Sequence, residues 1–151
     1  MQIRPYRPED QSQIDSIQKE SQSSLAAVTP PGYFDDLSDI SHAFSDGAFL
    51  VAVSSNNVAG YGGLLYKGEI VRMRVGAIYR RRGIATQILR ALIESASVLG
   101  MDRVYLHTLE EQHSAQSLYT HFGFTESGRG ELHGNRVVAY EYNVDLASVH
   151  S

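Results

Sequence analysis

The fold is decided by Glu69-Ile70-Val71-Arg72-Met73-Arg74-Val75 and, four residues later, Arg80-Arg81-Arg82-Gly83-Ile84-Ala85. The first run is rich in β-branched residues and alternates with period two, which predicts a strand. From Ile84 the period changes. Apolar side chains fall at 84, 85, 88, 89, 92, 93, 96 and 99, one face of a helix, and Gly100 supplies the stop. A strand therefore feeds a turn of three arginines and a glycine, which opens a long amphipathic helix. The first N–H groups of a helix have no partner within it, and the macrodipole adds about half a positive charge at that end. Three arginines there oppose helix formation unless a polyanion sits on them. Gly83 would let the anion's oxygens approach the backbone. A basic turn facing solvent would have the same sequence, so the turn alone leaves both readings open.

Upstream, Gln2–Tyr6 reads as a short strand that Pro8 ends, with Asp10 placed to cap a helix over about 11–23 whose inward residues are Ile14, Ile17 and Leu25. Thr29-Pro30-Pro31-Gly32 breaks the chain. A second helix is expected over 33–44, with three aspartates weighting its first half. Phe49–Val53 and Val58–Tyr66 form a hairpin turned at Asn56-Asn57. The glycines at 60, 62 and 63 mark either a bulge or a close backbone approach. Downstream, 103–108 is a strand, 113–122 a helix, 123–127 the start of another strand, 128–135 a polar loop, and 136–146 a closing strand.

Two motifs carry a family resemblance. Arg80-x-x-Gly83-x-Ala85 is similar to the Q/R-x-x-G-x-G/A pyrophosphate signature of the GNAT (N-acetyltransferase) superfamily, and it lies between the right strand and the right helix. About thirty residues on, Ala115-x-x-Leu118-Tyr119-x-x-Phe122-Gly123-Phe124 resembles that family's A-x-x-L-Y…G-F segment. The resemblance spans Ile3 to about Leu146 and is specific from Glu69 to Phe124. It implies an α/β fold with a central, mostly antiparallel sheet of six to seven strands and helices on both faces. It also implies one domain over 1–151.

The same resemblance implies acetyl transfer from acetyl-CoA to a primary amine, of a small molecule or of a peptide or protein, by direct attack in a ternary complex. Met73 and Val75 would then lie along the acetyl-pantetheine arm. The backbone of Arg82, Gly83, Ala85 and Thr86 would take the pyrophosphate, and Arg80 and Arg81 would add charge. Tyr119 matches the tyrosine that protonates the departing thiolate, and a phenol with an ordinary pKa near ~10 is protonated at neutral pH. A core tyrosine would occupy the same helix face. Glu69 stands where some members place the base for the acceptor amine, with Glu110 and Glu111 as rivals, while His107 reads as a packed or edge histidine. Where many members have an asparagine touching the cofactor arm, this chain has Gln112, as in a subgroup of the family.

The bulk properties fit one soluble domain of 151 residues with 42% hydrophobic and 20% charged residues. A net charge of −4 argues against a nucleic-acid partner and makes the arginine run stand out. With no cysteine there is no disulfide or thiolate nucleophile. The six histidines show no metal-ligand spacing, so no metal is expected. The N-terminus lacks a signal-peptide core and no run is long enough to span a membrane, which points to the cytoplasm. Arg72 and Arg74 should face away from Val71, Met73 and Val75; if they line the acceptor cleft, they favour an acidic acceptor. The runner-up reading is a non-catalytic CoA-binding regulatory module of the same fold. The acceptor's identity and the oligomeric state, a homodimer included, are not written in these residues.

Overall fold

The computed structural model describes residues 1–24 and 35–144. Its seven strands form two antiparallel sheets. The first has the order β1 (Gln2–Pro5), β2 (Ala48–Ser54), β3 (Asn57–Leu64), β4 (Ile70–Val75). The second has β7 (Asn135–Asn143) between β5 (Arg103–Leu109) and β6 (Thr125–Leu132). The sheets meet at one end only. Glu69 makes a parallel bridge with Tyr105, and Tyr105 N–H donates to Gly68 O at 3.0 Å. Gly68 has φ +99°, and a Cβ there would lie 2.5 Å from Arg103 O, so the junction admits only glycine. Beyond it β4 and β5 are not paired, and the cleft between them divides the expected central sheet in two.

Helices cover both faces of the first sheet. α3 (Ile84–Val98) buries Ile84, Ile88, Leu89, Leu92, Ile93 and Ala96, the stripe its period predicts, and shares one core with Tyr119 of α4 (His113–Phe122). α1 (Gln11–Ser24) packs Ile14 and Ile17 into a second core with Tyr61, Phe44 and Phe49 on the opposite face. The glycines of β3 admit α3 and Phe44: a Cβ on Gly62 would touch Ile88, Leu92 and Met73 at 3.0 Å, and one on Gly63 would meet the Phe44 ring at 2.4 Å.

Four local expectations are corrected. The helix over 33–44 is a 3₁₀ turn, Asp35–Ser38, followed by a one-turn helix α2, Ile40–Ala43. Its aspartates and serine compete with the ladder; Ser38 Oγ donates to Asp35 O at 2.6 Å. Asp10 does not cap α1. It closes the preceding 3₁₀ turn by accepting from Arg7 N–H and takes both arms of the Arg4 guanidinium at 2.8 Å. The first hairpin turns at Ser55-Asn56, both at positive φ, one residue earlier than expected. Residues 128–132, expected as loop, belong to β6, and the hairpin turns at His133-Gly134. Leu25, the 29–32 breaker, Tyr33, Phe34 and the strand's continuation to Leu146 lie outside the described residues.

The feature that matters most for the site is a bulge. β3 and β4 pair at Gly60–Val75 and Tyr61–Arg74, then at Gly63–Val71 and Leu64–Ile70, so Arg72 and Met73 together oppose Gly62. Arg72 takes φ +60°. The extra residue resets the alternation. Val71 packs with the α1 core, whereas Met73 and Val75 pack with the α3 core, so these three do not share a face as expected.

Candidate active site

The arginine turn is reached from β4 through a 3₁₀ turn, Ala77–Tyr79, which α1 holds in place: the Glu20 carboxylate accepts from Ala77 N–H at 2.7 Å. Arg80 then returns to extended backbone and its Nε donates to Val75 O at 3.5 Å. Arg81 and Gly83 both have positive φ, +63° and +76°. Gly83 is the N-cap of α3 in left-handed conformation, with no side chain capping the helix and no acidic residue in its first turn. The N–H groups that open α3 therefore rely on something outside the helix. A Cβ built on Gly83 meets nothing within 4 Å, so open space adjoins them. The Arg82 guanidinium lies over the Tyr79 ring at 5.8 Å, an aromatic rest that keeps this cation beside the turn. Arg80, Arg81 and Arg82 are all exposed, and Ala85 and Thr86 are half-buried behind them.

At the mouth of the cleft, Val75 and Met73 are half-buried on the α3 side of β4. Tyr119 is buried near Phe124 and Tyr140, with ring centroids 5.8 and 5.9 Å away. Burial pushes its hydroxyl pKa up, and the charge of Arg74 pulls the other way. Net, it is a phenol held in its protonated form. Gln112 is the N-cap residue of α4, but its side chain turns back to β5: its Oε1 accepts from Thr108 Oγ1 at 3.1 Å and from Leu109 N–H at 3.4 Å. Its amide nitrogen is the group left to meet a ligand. Gln116 fixes the same corner by donating to Leu109 O and Glu110 O.

Met73, Val75 and Tyr119 pack on one core, the 80–86 turn follows β4, and Gln112 follows β5, the strand that runs parallel to β4 at the Glu69–Tyr105 bridge. Glu69 is at the closed end, on the order of 20 Å along β4 from Val75. Its carboxylate lies 3.7 Å from His107 Nδ1, and the His107 ring stands edge-on to Tyr105. Glu110 pairs with Arg136 at 3.2 Å. Glu20, Gln18 and Tyr61 were missed, because contacts 43 to 57 residues apart leave no local pattern.

The acetyltransferase (GNAT) family model matches residues 14–124. The chain belongs to the GNAT family. The uncharacterized N-acetyltransferase YsnE of Bacillus subtilis (strain 168) is 31% identical over 118 residues, covering 74% of this chain and 78% of that one. Among solved structures, a GNAT-family acetyltransferase from Staphylococcus aureus Mu50 superposes with a TM-score of 0.83 at 23% identity over 95% of this chain and 98% of that one. The yncA protein of Salmonella typhimurium, solved with its cofactor acetyl-CoA, gives 0.80 at 18% identity over 96% and 94%. Both structures share the GNAT fold with this chain. Among the described residues no cluster of His, Asp or Glu forms a metal site, and no helix is long and apolar enough to cross a membrane.

Proposed function

We propose that this GNAT protein transfers the acetyl group of acetyl-CoA to a primary amine within a ternary complex, as one catalytic domain in the cytoplasm. The observation that carries the reading is the N-terminus of α3: left-handed Gly83, no capping side chain, open space beside it and three arginines around it. Such an end binds a pyrophosphate through backbone N–H groups and the helix dipole. The N–H groups from Arg82 to Thr86 would hold it, with Arg80 and Arg81 adding charge. The arm would run into the cleft along Val75 and Met73, and the Gln112 amide nitrogen would donate to it.

Chemistry then follows from what the chain supplies. The amine nitrogen attacks the thioester carbonyl, the carbonyl oxygen gains charge, and the C–S bond breaks to leave a thiolate. Backbone N–H near Val75, freed by the parting of β4 from β5, holds the oxyanion. Tyr119 donates its proton to the thiolate. The acceptor arrives as an ammonium and loses its proton to solvent water, because Glu69, on the order of 20 Å along β4 from Val75, is out of reach of the amine.

The test is thermal unfolding with acetyl-CoA, followed by release of free thiol on adding primary amines. A ligand at about a hundred times its dissociation constant stabilises by ~2.7 kcal/mol, a rise of roughly 5–10 °C for a domain of this size. No rise at millimolar acetyl-CoA would end the reading. A rise without thiol release from any amine would favour the non-catalytic CoA-binding module instead.

A further inference from the structure

The backbone groups of β5 alternate between its two edges, and their parity fixes what faces β4. Glu110 N–H donates to Arg136 O at 2.9 Å, continuing the register in which Arg103 opposes Asn143 and Leu109 opposes Val137. The even-numbered residues of β5 therefore turn N–H and C=O toward β7, and the odd-numbered ones turn theirs toward β4. Tyr105 obeys this, since its N–H reaches Gly68 O at 3.0 Å at the closed end of the cleft. Leu109 obeys it too, but there β4 is no longer paired with β5. Its N–H and C=O lie on the free edge of the strand.

Two glutamines take the place of the missing strand at Leu109. Gln112 Oε1 accepts from Leu109 N–H at 3.4 Å and from the hydroxyl of the buried Thr108 at 3.1 Å. Leu109 O accepts from Gln112 N–H at 3.0 Å and from Gln116 Nε2 at 3.1 Å, and Glu110 O accepts from Gln116 Nε2 at 2.7 Å. These bonds fix which way round the Gln112 carboxamide sits. A backbone N–H can only donate, so a reversed amide would set its N–H₂ against Leu109 N–H. Among the described residues Gln112 Nε2 makes no hydrogen bond, and it is open to solvent. The nearby carbonyls of Leu109 and Glu110 are already taken by Gln116.

We propose that Thr108 is a positioning residue for the acetyl donor: with Leu109 N–H it locks the Gln112 carboxamide onto the free edge of β5, so that the N–H₂ end donates to an amide carbonyl of the donor's arm. The inference rests on the acetyl-CoA reading above. Thr108 touches no ligand and acts through Gln112. Without its hydroxyl, Gln112 Oε1 keeps only the longer bond to Leu109 N–H, and the carboxamide is free to turn. An amide turned over presents its oxygen to the donor's carbonyl, acceptor against acceptor, and the bond to the arm is lost.

The experiment measures the dissociation constant of acetyl-CoA on the full chain in a double-mutant cycle of Thr108→Val and Gln112→Ala. Thr108→Val keeps the shape of the side chain and removes the hydroxyl. It should weaken acetyl-CoA binding about three- to tenfold, the range of one neutral hydrogen bond, and Thr108→Ser should restore the parent affinity to within about twofold. In the Gln112→Ala background the effect of Thr108→Val should vanish, because the group it orients is gone. Gln112→Glu keeps the oxygen that Thr108 and Leu109 hold and loses only the N–H₂ end, so it should weaken binding at least as much as Gln112→Ala. That variant also decides the matter should Thr108→Val not fold. An equal effect of Thr108→Val in both backgrounds would make Thr108 a packing residue and overturn the proposal. Undiminished affinity in Thr108→Val or in Gln112→Glu would overturn it as well. Each of these results leaves the acetyl-CoA reading standing, whereas a parent chain that does not bind acetyl-CoA would overturn both.

Discussion

Gly83 offers the sharpest test of the cofactor site, because the cost to the fold and the cost to binding can be worked out separately. Its φ of +76° is one that other L-residues adopt at about 1–2 kcal/mol, but a Cβ there would meet nothing within 4 Å. Gly83→Ala should therefore lower the melting temperature by only ~2–8 °C. Gly83→Asp adds a carboxylate beside the N–H groups that would hold the pyrophosphate, and a charged oxygen at an N-cap position is itself tolerated by a helix. The Asp variant should fold about as well as the Ala variant. Its affinity for acetyl-CoA should fall by about a hundredfold, from loss of at least one charge-assisted hydrogen bond plus repulsion. At a concentration a hundred times the parent's dissociation constant, stabilisation would drop from ~2.7 to ~0.4 kcal/mol. The acetyl-CoA-induced rise would shrink from roughly 5–10 °C to about 1 °C. Differential scanning fluorimetry with a ligand titration measures both quantities. An undiminished rise in Gly83→Asp would show that the turn does not hold the cofactor, and the argument from α3 would be wrong.

Three further outcomes follow. Tyr119→Phe should reduce kcat at least ~100-fold while acetyl-CoA affinity stays within about twofold; since burial raises the Tyr119 pKa, the parent enzyme should show no alkaline loss of kcat from this group below about pH 10, and a midpoint near pH 8 that vanishes in Tyr119→Phe would contradict its role. Asp10→Asn leaves the half-buried Arg4 unpaired and should destabilise by about 2–4 kcal/mol in urea unfolding at pH 7. The Arg4 hydrogen bonds hold the Asp10 pKa below its ordinary value, so this difference is fully present above the unfolded carboxyl's pKa of ~3.9 and should shrink as the pH falls below it; a constant difference down to pH 2 would refute the assignment. Gly63→Ala drives a methyl to 2.4 Å from the Phe44 ring and should destabilise by about 1–3 kcal/mol without altering acetyl-CoA affinity, so an unchanged urea midpoint would count against the packing described.

What the sequence made legible were the elements whose burial is one-sided and regular. α3 follows its apolar period from Ile84 to Ala96, and α4 runs over the predicted 113–122. Tertiary pairing hid the rest. β6 is exposed along its whole length, so Gly128-Arg129-Gly130-Glu131 carries no alternation and reads as loop; only its partner β7 makes it a strand. Asp10 looks like a cap for α1 until Arg4, across the turn, claims its carboxylate. The arginine turn was readable because its signal is local: a charge run, a glycine and a helix start. The acceptor side was not. The segments expected to set acceptor choice, 25–45 and 128–136, carry no short motif, and 25–34 lies outside the described residues.

The bulge at Arg72-Met73 decides which core each half of β4 packs against. A regular β4 would put Val71, Met73 and Val75 on one face and Arg72 and Arg74 on the other, because side chains alternate strictly. With one residue added, Val71 joins the α1 core and Arg72 swings to Asp36, while Met73 and Val75 keep the α3 side. The strand changes character at its midpoint. Before the bulge it is tied to the 3₁₀ turn at Asp35; after it, Met73 and Val75 line the α3 side and Arg74 lies opposite Tyr61 on the other. β4 also leaves β5 in this half, so its backbone groups on that edge are not paired in a ladder. If the acetyl donor binds as proposed, the parting of the sheets leaves its carbonyl the unpaired backbone edge of this half of β4.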